Sequence, residues 1–196
     1  MQTEPRWLGK PLSGGGGGPG RAVERARRRN FSLIVVLAVM TACQVDAPSF
    51  ERVDAADLTI IDGDTIRHGG RTCRLLGYDA PELPASWFSG DQEPWASAAT
   101  EALRRQLVNA RVVEVAWARE GDKYDRGLCQ VRTDGVAVGA ALLRQGLAFE
   151  TVTRYGHGGF AKDARILLEA AREGRTPEFV DPHTWRRMHS VEPRED

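Results

Sequence analysis

Between residues 58 and 133 the apolar positions come in short runs divided by turn residues, the pattern of strands in a meander. Leu58-Thr59-Ile60-Ile61 predicts a first strand, and Asp62-Gly63 a tight turn after it. Thr65-Ile66-Arg67 predicts a second strand, His68-Gly69-Gly70 a turn, and residues 71–77 a third strand. Side chains alternate along a strand, so if Cys73 and Leu75 face an apolar layer, Arg74 faces the opposite side. Val112-Val113-Glu114-Val115-Ala116-Trp117 predicts a fourth strand, and residues 127–132 a fifth, closed by Asp134-Gly135.

Helical spacing takes over elsewhere. Residues 95–109 place Ala99, Leu103 and Leu107 on one face. Residues 138–145 predict a short helix ended by Gly146. Residues 159–173 predict a longer one, with Phe160, Ala164, Leu167, Leu168 and Ala171 inward and Gly174 as its stop. Five strands, a helix after the third and a helical tail predict an α+β domain: a five-stranded OB-type β-barrel with about three helices. Residues 78–94, rich in Pro, Gly, Ser and Asp and carrying Trp87 and Phe88, predict a long loop, and long loops in compact domains are often functional.

Charge divides the chain. Residues 1–43 carry seven basic and two acidic side chains, a net +5, and the remainder carries a net −5. A mildly acidic domain argues against a broad surface that coats nucleic acid, but leaves room for a small basic site handling one phosphate. Residues 1–22 contain five consecutive glycines and read as a disordered low-complexity extension. Residues 23–43 join the basic run Arg25-Ala26-Arg27-Arg28-Arg29 to a short apolar stretch, the layout of a secretory signal. The apolar stretch is shorter than the roughly 20 residues that span a bilayer as a helix. Its end, Val39-Met40-Thr41-Ala42-Cys43, resembles a bacterial lipobox, which implies lipidation at Cys43 and a membrane-anchored extracytoplasmic protein, in the outer membrane if the cell has one. Secretion without the lipid is the alternative. Residues 44–55 read as a tether, 56–175 as the domain and 176–196 as a C-terminal tail. The three cysteines, Cys43, Cys73 and Cys129, have no zinc-ligand spacing. Cys73 and Cys129 are either an exported protein's disulfide or two small core residues.

The chemistry gathers around Asp79-Ala80-Pro81-Glu82. Asp64 and Asp79 are hard oxygen ligands. With the Ala80 carbonyl and waters they suit Ca²⁺, which takes about 6–8 oxygens. Pro81 biases Ala80 towards an extended backbone and so helps fix that carbonyl. Glu82 stands where it can take a proton from an attacking water. Arg74 and Arg126 are planar donors suited to phosphate oxygens. His68 and His157 sit in glycine-rich turns and read as turn residues.

Four segments in register resemble the staphylococcal nuclease (thermonuclease) family: Ile60-Ile61-Asp62-Gly63-Asp64-Thr65, Arg74-Leu75-Leu76-Gly77-Tyr78-Asp79-Ala80-Pro81-Glu82, Asp122-Lys123-Tyr124-Asp125-Arg126-Gly127-Leu128, and residues 138–148. The resemblance covers roughly residues 56–175. It implies hydrolysis of DNA and RNA that leaves 3′-phosphate ends, with Ca²⁺ as cofactor. It also implies that Lys123 and Tyr124 touch the substrate's terminal phosphate. Asp125 stands where the family usually has glycine, and the family's second substrate-stacking tyrosine has no clear match near Val152 and Thr153. No obligate protein partner is expected. The competing reading is a non-catalytic, membrane-tethered OB-type module that binds nucleic acid or protein. The complete set Asp64, Arg74, Asp79, Glu82 and Arg126 argues for the enzyme, because a binding module would be free to lose it.

Overall fold

The computed structural model describes residues 48–121 and 126–191. The expected extension, the signal segment with Cys43 and the first residues of the tether lie outside the described residues. So do Asp122, Lys123, Tyr124 and Asp125.

The chain order is β1 (Glu51–Val53), β2 (Leu58–Ile60), β3 (Thr65–His68), β4 (Arg71–Leu75), β5 (Tyr78–Asp79), α1 (Trp95–Asn109), β6 (Val113–Gly121), β7 (Gly127–Thr133), β8 (Val136–Ala137), α2 (Gly139–Gln145), β9 (Phe149–Glu150), α3 (Val152–Tyr155), α4 (Ala161–Glu173) and α5 (Pro182–His189). The main sheet is mixed and seven-stranded, in the order β1-β6-β7-β4-β3-β2 with β8 beside β7. It curls into a half-barrel, an α+β architecture of OB type. β4 and β7 are parallel, and the remaining pairs in the sheet are antiparallel. A parallel pair needs a long crossover, and residues 76–126, with α1 and β6, supply it.

The five strands expected from the apolar runs are β2, β3, β4, β6 and β7. Four short strands add to them, too brief for any periodicity to show. β1 lies in the segment read as tether, where Glu51, Arg52 and Val53 pair with Val115, Glu114 and Val113. β5 lies in the segment read as loop, and its Asp79 pairs with Phe149 of β9. The described residues hold five helices rather than about three, and α5 lies in the segment read as tail.

Ile66, Leu75, Leu103, Val115, Val131, Leu142 and Leu167 fill the core between the curled sheet and helices α1, α2 and α4. Cys73 and Cys129, both buried, form a disulfide there that joins β4 to β7, with Cα atoms 5.8 Å apart. On α4 the buried positions are Ala164, Leu167 and Ala170 together with Asp163, while Leu168 and Ala171 are only half-buried. The inward face is thus turned from the expected one, because a buried ion pair occupies part of it. Arg132 donates from Nε and Nη2 to the two Asp163 oxygens at 2.7 and 2.8 Å, and its guanidinium covers the Phe50 ring at 3.6 Å. Replacing Arg132 by Ala leaves a buried carboxylate without its charged donors. A loss of roughly 1.5–3 kcal/mol is expected, the range for hydrogen bonds to charged groups where water still reaches one partner. Urea unfolding measures it, and an unchanged midpoint would refute the assignment. Among the described residues no helix is long and apolar enough to cross a membrane.

Candidate active site: an acid–arginine cluster

The turn between β2 and β3 carries Asp62, Gly63 and Asp64. Gly63 is required by space rather than by a left-handed backbone: a Cβ there would stand 2.7 Å from the Ala80 Cβ and 2.9 Å from that of Ala99. The turn is thereby pressed against the segment that follows β5 and against α1. Further bonds tie the same pieces together. The Asp64 backbone N–H donates to Asp62 Oδ1 at 3.0 Å, the Tyr78 hydroxyl to the Gly63 carbonyl at 3.1 Å, and the Leu75 N–H to the Asp64 carbonyl at 2.8 Å.

Asp64 and Asp79 are both buried. Thr65 pairs with Arg74 across β3 and β4, so Asp64 lies one residue from the strand position facing Arg74. Alternation holds along β4: Cys73 and Leu75 are buried in the core, and Arg74 points to the opposite side. There its guanidinium ion-pairs with Asp64 through Nη1 and with Asp79 through Nη2. Asp64 Oδ2 also accepts from the Ala80 N–H at 2.6 Å, and Asp64 Oδ1 accepts from the Thr65 hydroxyl at 3.1 Å.

Glu82 enters from the following residues and is held by Gln92. The Glu82 N–H donates to Gln92 Oε1 at 3.1 Å, and the Gln92 N–H donates to the Glu82 carbonyl at 2.9 Å. Gln92 is itself buried and donates from Nε2 to the Val180 carbonyl at 2.7 Å. A further cation comes from α5. Arg186 donates to both oxygens of Asp79, Nη1 to Oδ1 at 3.1 Å and Nη2 to Oδ2 at 2.6 Å, and its Nη1 also bonds Glu82 Oε1.

The cluster sets its own charge states. Burial pushes the Asp64 carboxyl well above the usual range, against the pull of Arg74. Burial acts the same way on Asp79, but Arg74 and Arg186 outweigh it and hold that carboxyl below its ordinary value. Burial raises Glu82, against the attraction of Arg186. Burial disfavours charge on both arginines, yet their carboxylate partners raise them further above the ordinary arginine range.

The donor set fits a hard divalent cation on lone-pair grounds. A carboxylate, which a bound cation would keep ionised, offers about four acceptor sites. Among the described residues Asp64 Oδ2 accepts from Ala80 alone, and Asp79 Oδ2 from Arg186 alone. Each therefore has capacity left, and both carboxylates lie within the span of one guanidinium. No group of three or more His, Cys, Asp and Glu side chains converges as a metal cage among the described residues. Two carboxylates alone fall short of the about 6–8 oxygens Ca²⁺ takes, so a bound ion would draw its remaining ligands from backbone or water.

Of the residues singled out in the sequence, Asp64, Arg74, Asp79, Ala80 and Glu82 are brought to one place. Arg126 stands immediately before β7, half-buried, two residues ahead of the Leu128 that pairs with Arg74. Lys123, Tyr124 and Cys43 lie outside the described residues. Sequence reasoning missed Gln92 and Arg186. A signal for α5 does exist: Asp181 followed by Pro182 is an N-cap with proline in the first turn, and Asp181 accepts from the Thr184 N–H at 3.1 Å. Nothing in it says which side chain of that helix reaches the acids. A separate surface groove lined by Arg105, Asn109, Thr133, Asp134 and Arg144 shares no residue with the cluster.

Known proteins resemble this chain over more than half of its length. Protein ParB of Escherichia coli is 27% identical over 181 residues, which cover 82% of this chain and 94% of that protein. Residues 72–177, more than half of the chain, match the family model described as staphylococcal nuclease homologue, a span that includes Arg74, Asp79, Glu82 and Arg126. The chain therefore belongs to the staphylococcal nuclease homologue family, whose members are nucleases.

Proposed function

We propose that the protein is an exported, Ca²⁺-dependent nuclease that hydrolyses phosphodiester bonds of DNA and RNA and leaves 3′-phosphate ends. The observation that carries this reading is the convergence of Asp64, Asp79 and Glu82 on two arginines. Family membership supports nuclease chemistry of the same kind.

Asp64, Asp79 and the Ala80 carbonyl are the residues that would hold Ca²⁺. When bound, the ion supplies positive charge to polarise a phosphoryl oxygen. Glu82 accepts the proton of the attacking water as the new phosphorus–oxygen bond forms and the bond to the 5′-oxygen breaks. Arg74 offers donors to the equatorial oxygens, where negative charge develops, and Arg126 is assigned the same task from the β7 side. Gln92 holds the Glu82 backbone, and Tyr78 fixes the turn that carries Asp64. Lys123 and Tyr124 are assigned to the terminal phosphate of the substrate.

Export is proposed from the basic run and short apolar stretch of residues 23–43, with a lipid on Cys43 as membrane anchor. A buried Cys73–Cys129 disulfide supports it, because such bonds persist outside reducing compartments. Diversion of the protein to the soluble fraction by Cys43→Ala tests the anchor.

Denatured DNA and RNA incubated with the purified protein test the activity. Cleavage is expected with Ca²⁺ and is abolished by chelator. Absence of cleavage with every divalent ion tried would overturn the reading and favour a binding module.

A further inference from the structure

We propose that Arg186, delivered by the C-terminal helix α5, is a positioning residue of the active site that sets the Glu82 carboxylate against Asp79. The inference rests on the nuclease reading above.

One guanidinium forks onto both oxygens of Asp79 and at the same time bonds Glu82. Asp79 belongs to β5 and Glu82 to the irregular segment after it, so the two acids share no regular element that would fix their separation. Gln92 holds the Glu82 backbone, and Arg186 adds from outside the segment a restraint on the two carboxylates themselves. A planar fork suits the task, because its donors are fixed relative to one another. Asp79 Oδ2 keeps a lone pair beyond the one given to Arg186, so the grip is compatible with a cation at the same carboxylate.

The helix is held by contacts of its own. The Trp185 and Phe88 rings meet edge to face at 5.0 Å, and Phe88 bridges to Ser190. The Ser89 N–H donates to the His189 carbonyl at 2.8 Å, and the Val191 N–H to the Trp87 carbonyl at 3.0 Å. Asp181 caps the first turn, and the Gln92 side chain holds Val180 just before it. The same Gln92 that grips the Glu82 backbone therefore also grips the base of the helix that grips its side chain. None of these contacts uses the guanidinium, so α5 is expected to stay docked when that group is removed. The removal releases the Glu82 carboxylate, which the proposed mechanism needs within reach of a water.

The test uses the purified protein and the variants Arg186→Gln, Arg186→Lys and, as a control on the exposed face of α5, Arg187→Gln. Four quantities are measured: kcat and KM on denatured DNA, Ca²⁺ affinity by calorimetry without substrate, and tryptophan fluorescence as a report on the docked helix. For Arg186→Gln a fall in kcat of roughly 10–100-fold is expected, the scale of a misplaced reacting group, with KM little changed. Ca²⁺ affinity is expected to rise several-fold, since a positive charge has left a metal ligand. Lysine restores the charge but not the fork, and is expected to recover the wild-type Ca²⁺ affinity but only part of kcat. Arg187→Gln is expected to match wild type. A kcat that is unchanged, or that rises as for an inhibitory plug, overturns the proposal. Lost helix fluorescence with unchanged Ca²⁺ affinity also overturns it, in favour of a purely structural contact. If the wild type itself cleaves nothing, the nuclease reading fails; the calorimetry then decides separately whether Arg186 acts on the acids, equal affinities meaning that it does not.

Discussion

Glu82→Gln is expected to lower the rate of phosphodiester cleavage roughly 10²–10⁴-fold, the usual contribution of a positioned general base. Glutamine keeps the size of the side chain and a carbonyl oxygen for Arg186 Nη1, so the fold and the α5 contact are retained. What is lost is the basic oxygen that takes the proton. Because burial raises the Glu82 carboxyl, its base form is lost at a pH above the ordinary glutamate value of 4.5. The wild-type rate is therefore expected to fall as pH drops through that raised value, and the variant's residual rate to lack the same acid limb. Initial rates on denatured DNA at saturating Ca²⁺, taken across the acid range, measure both effects. Cleavage by the variant within a few-fold of wild type would remove Glu82 from the mechanism.

Much of this site was open to reading in the chain because its parts are local. Arg74 is flanked by Cys73 and Leu75 on a strand, and strict alternation sends it to the face opposite the core, where the structure places it. Asp79, Ala80 and Glu82 are separated by so few residues that proximity needs no tertiary argument. Asp64 demanded more, since it meets Asp79 only when the β2–β3 turn folds onto β5. The turn was legible from Asp62-Gly63, but for a different reason than the one that holds in the fold. Gly63 answers to the crowding by Ala80 and Ala99, which no turn rule encodes.

The parts that escaped reading are those fixed only by packing. Arg186 is separated from Asp79 by 107 positions. Its helix has a readable start at Asp181-Pro182, yet a basic side chain in a terminal helix is by default a solvated one. The inward face of α4 was displaced for a similar reason. Asp163 is acidic and adds nothing to an apolar pattern, whereas Arg132 of β7 makes it a buried partner. Apolar periodicity cannot foresee a charge that is buried because another element neutralises it. The pairing of Cys73 with Cys129 was an open alternative in the sequence for want of register. Leu75 opposite Cys129 and Cys73 opposite Gly127 supply it.

That disulfide carries the second large expectation. Replacing both cysteines, Cys73→Ala with Cys129→Ala, is expected to cost about 4 kcal/mol, from the chain-entropy effect of closing a long loop. The bridge spans 56 residues, and the enclosed chain contains β5, α1 and β6, that is, the whole crossover between the parallel strands it joins. Without it the unfolded chain regains the freedom of that loop, and folding must close it by the β4–β7 pairing alone. For a domain of this size such a loss lowers the melting temperature by roughly 8–16 °C. The effect also reaches the site, since Arg74 is the residue after Cys73 and the pairing of β4 with β7 aligns it with Leu128. A drop in Ca²⁺-dependent cleavage at temperatures well below the new melting point is therefore expected alongside the loss of stability. Thermal and urea unfolding of the double variant, compared with wild type before and after reduction, measure the first effect. Thiol titration of the denatured protein counts the bridge directly. Equal stability of oxidised, reduced and double-variant protein would mean that the core and the parallel pairing close the crossover unaided, and unchanged cleavage that the bond contributes nothing to holding Arg74 in place.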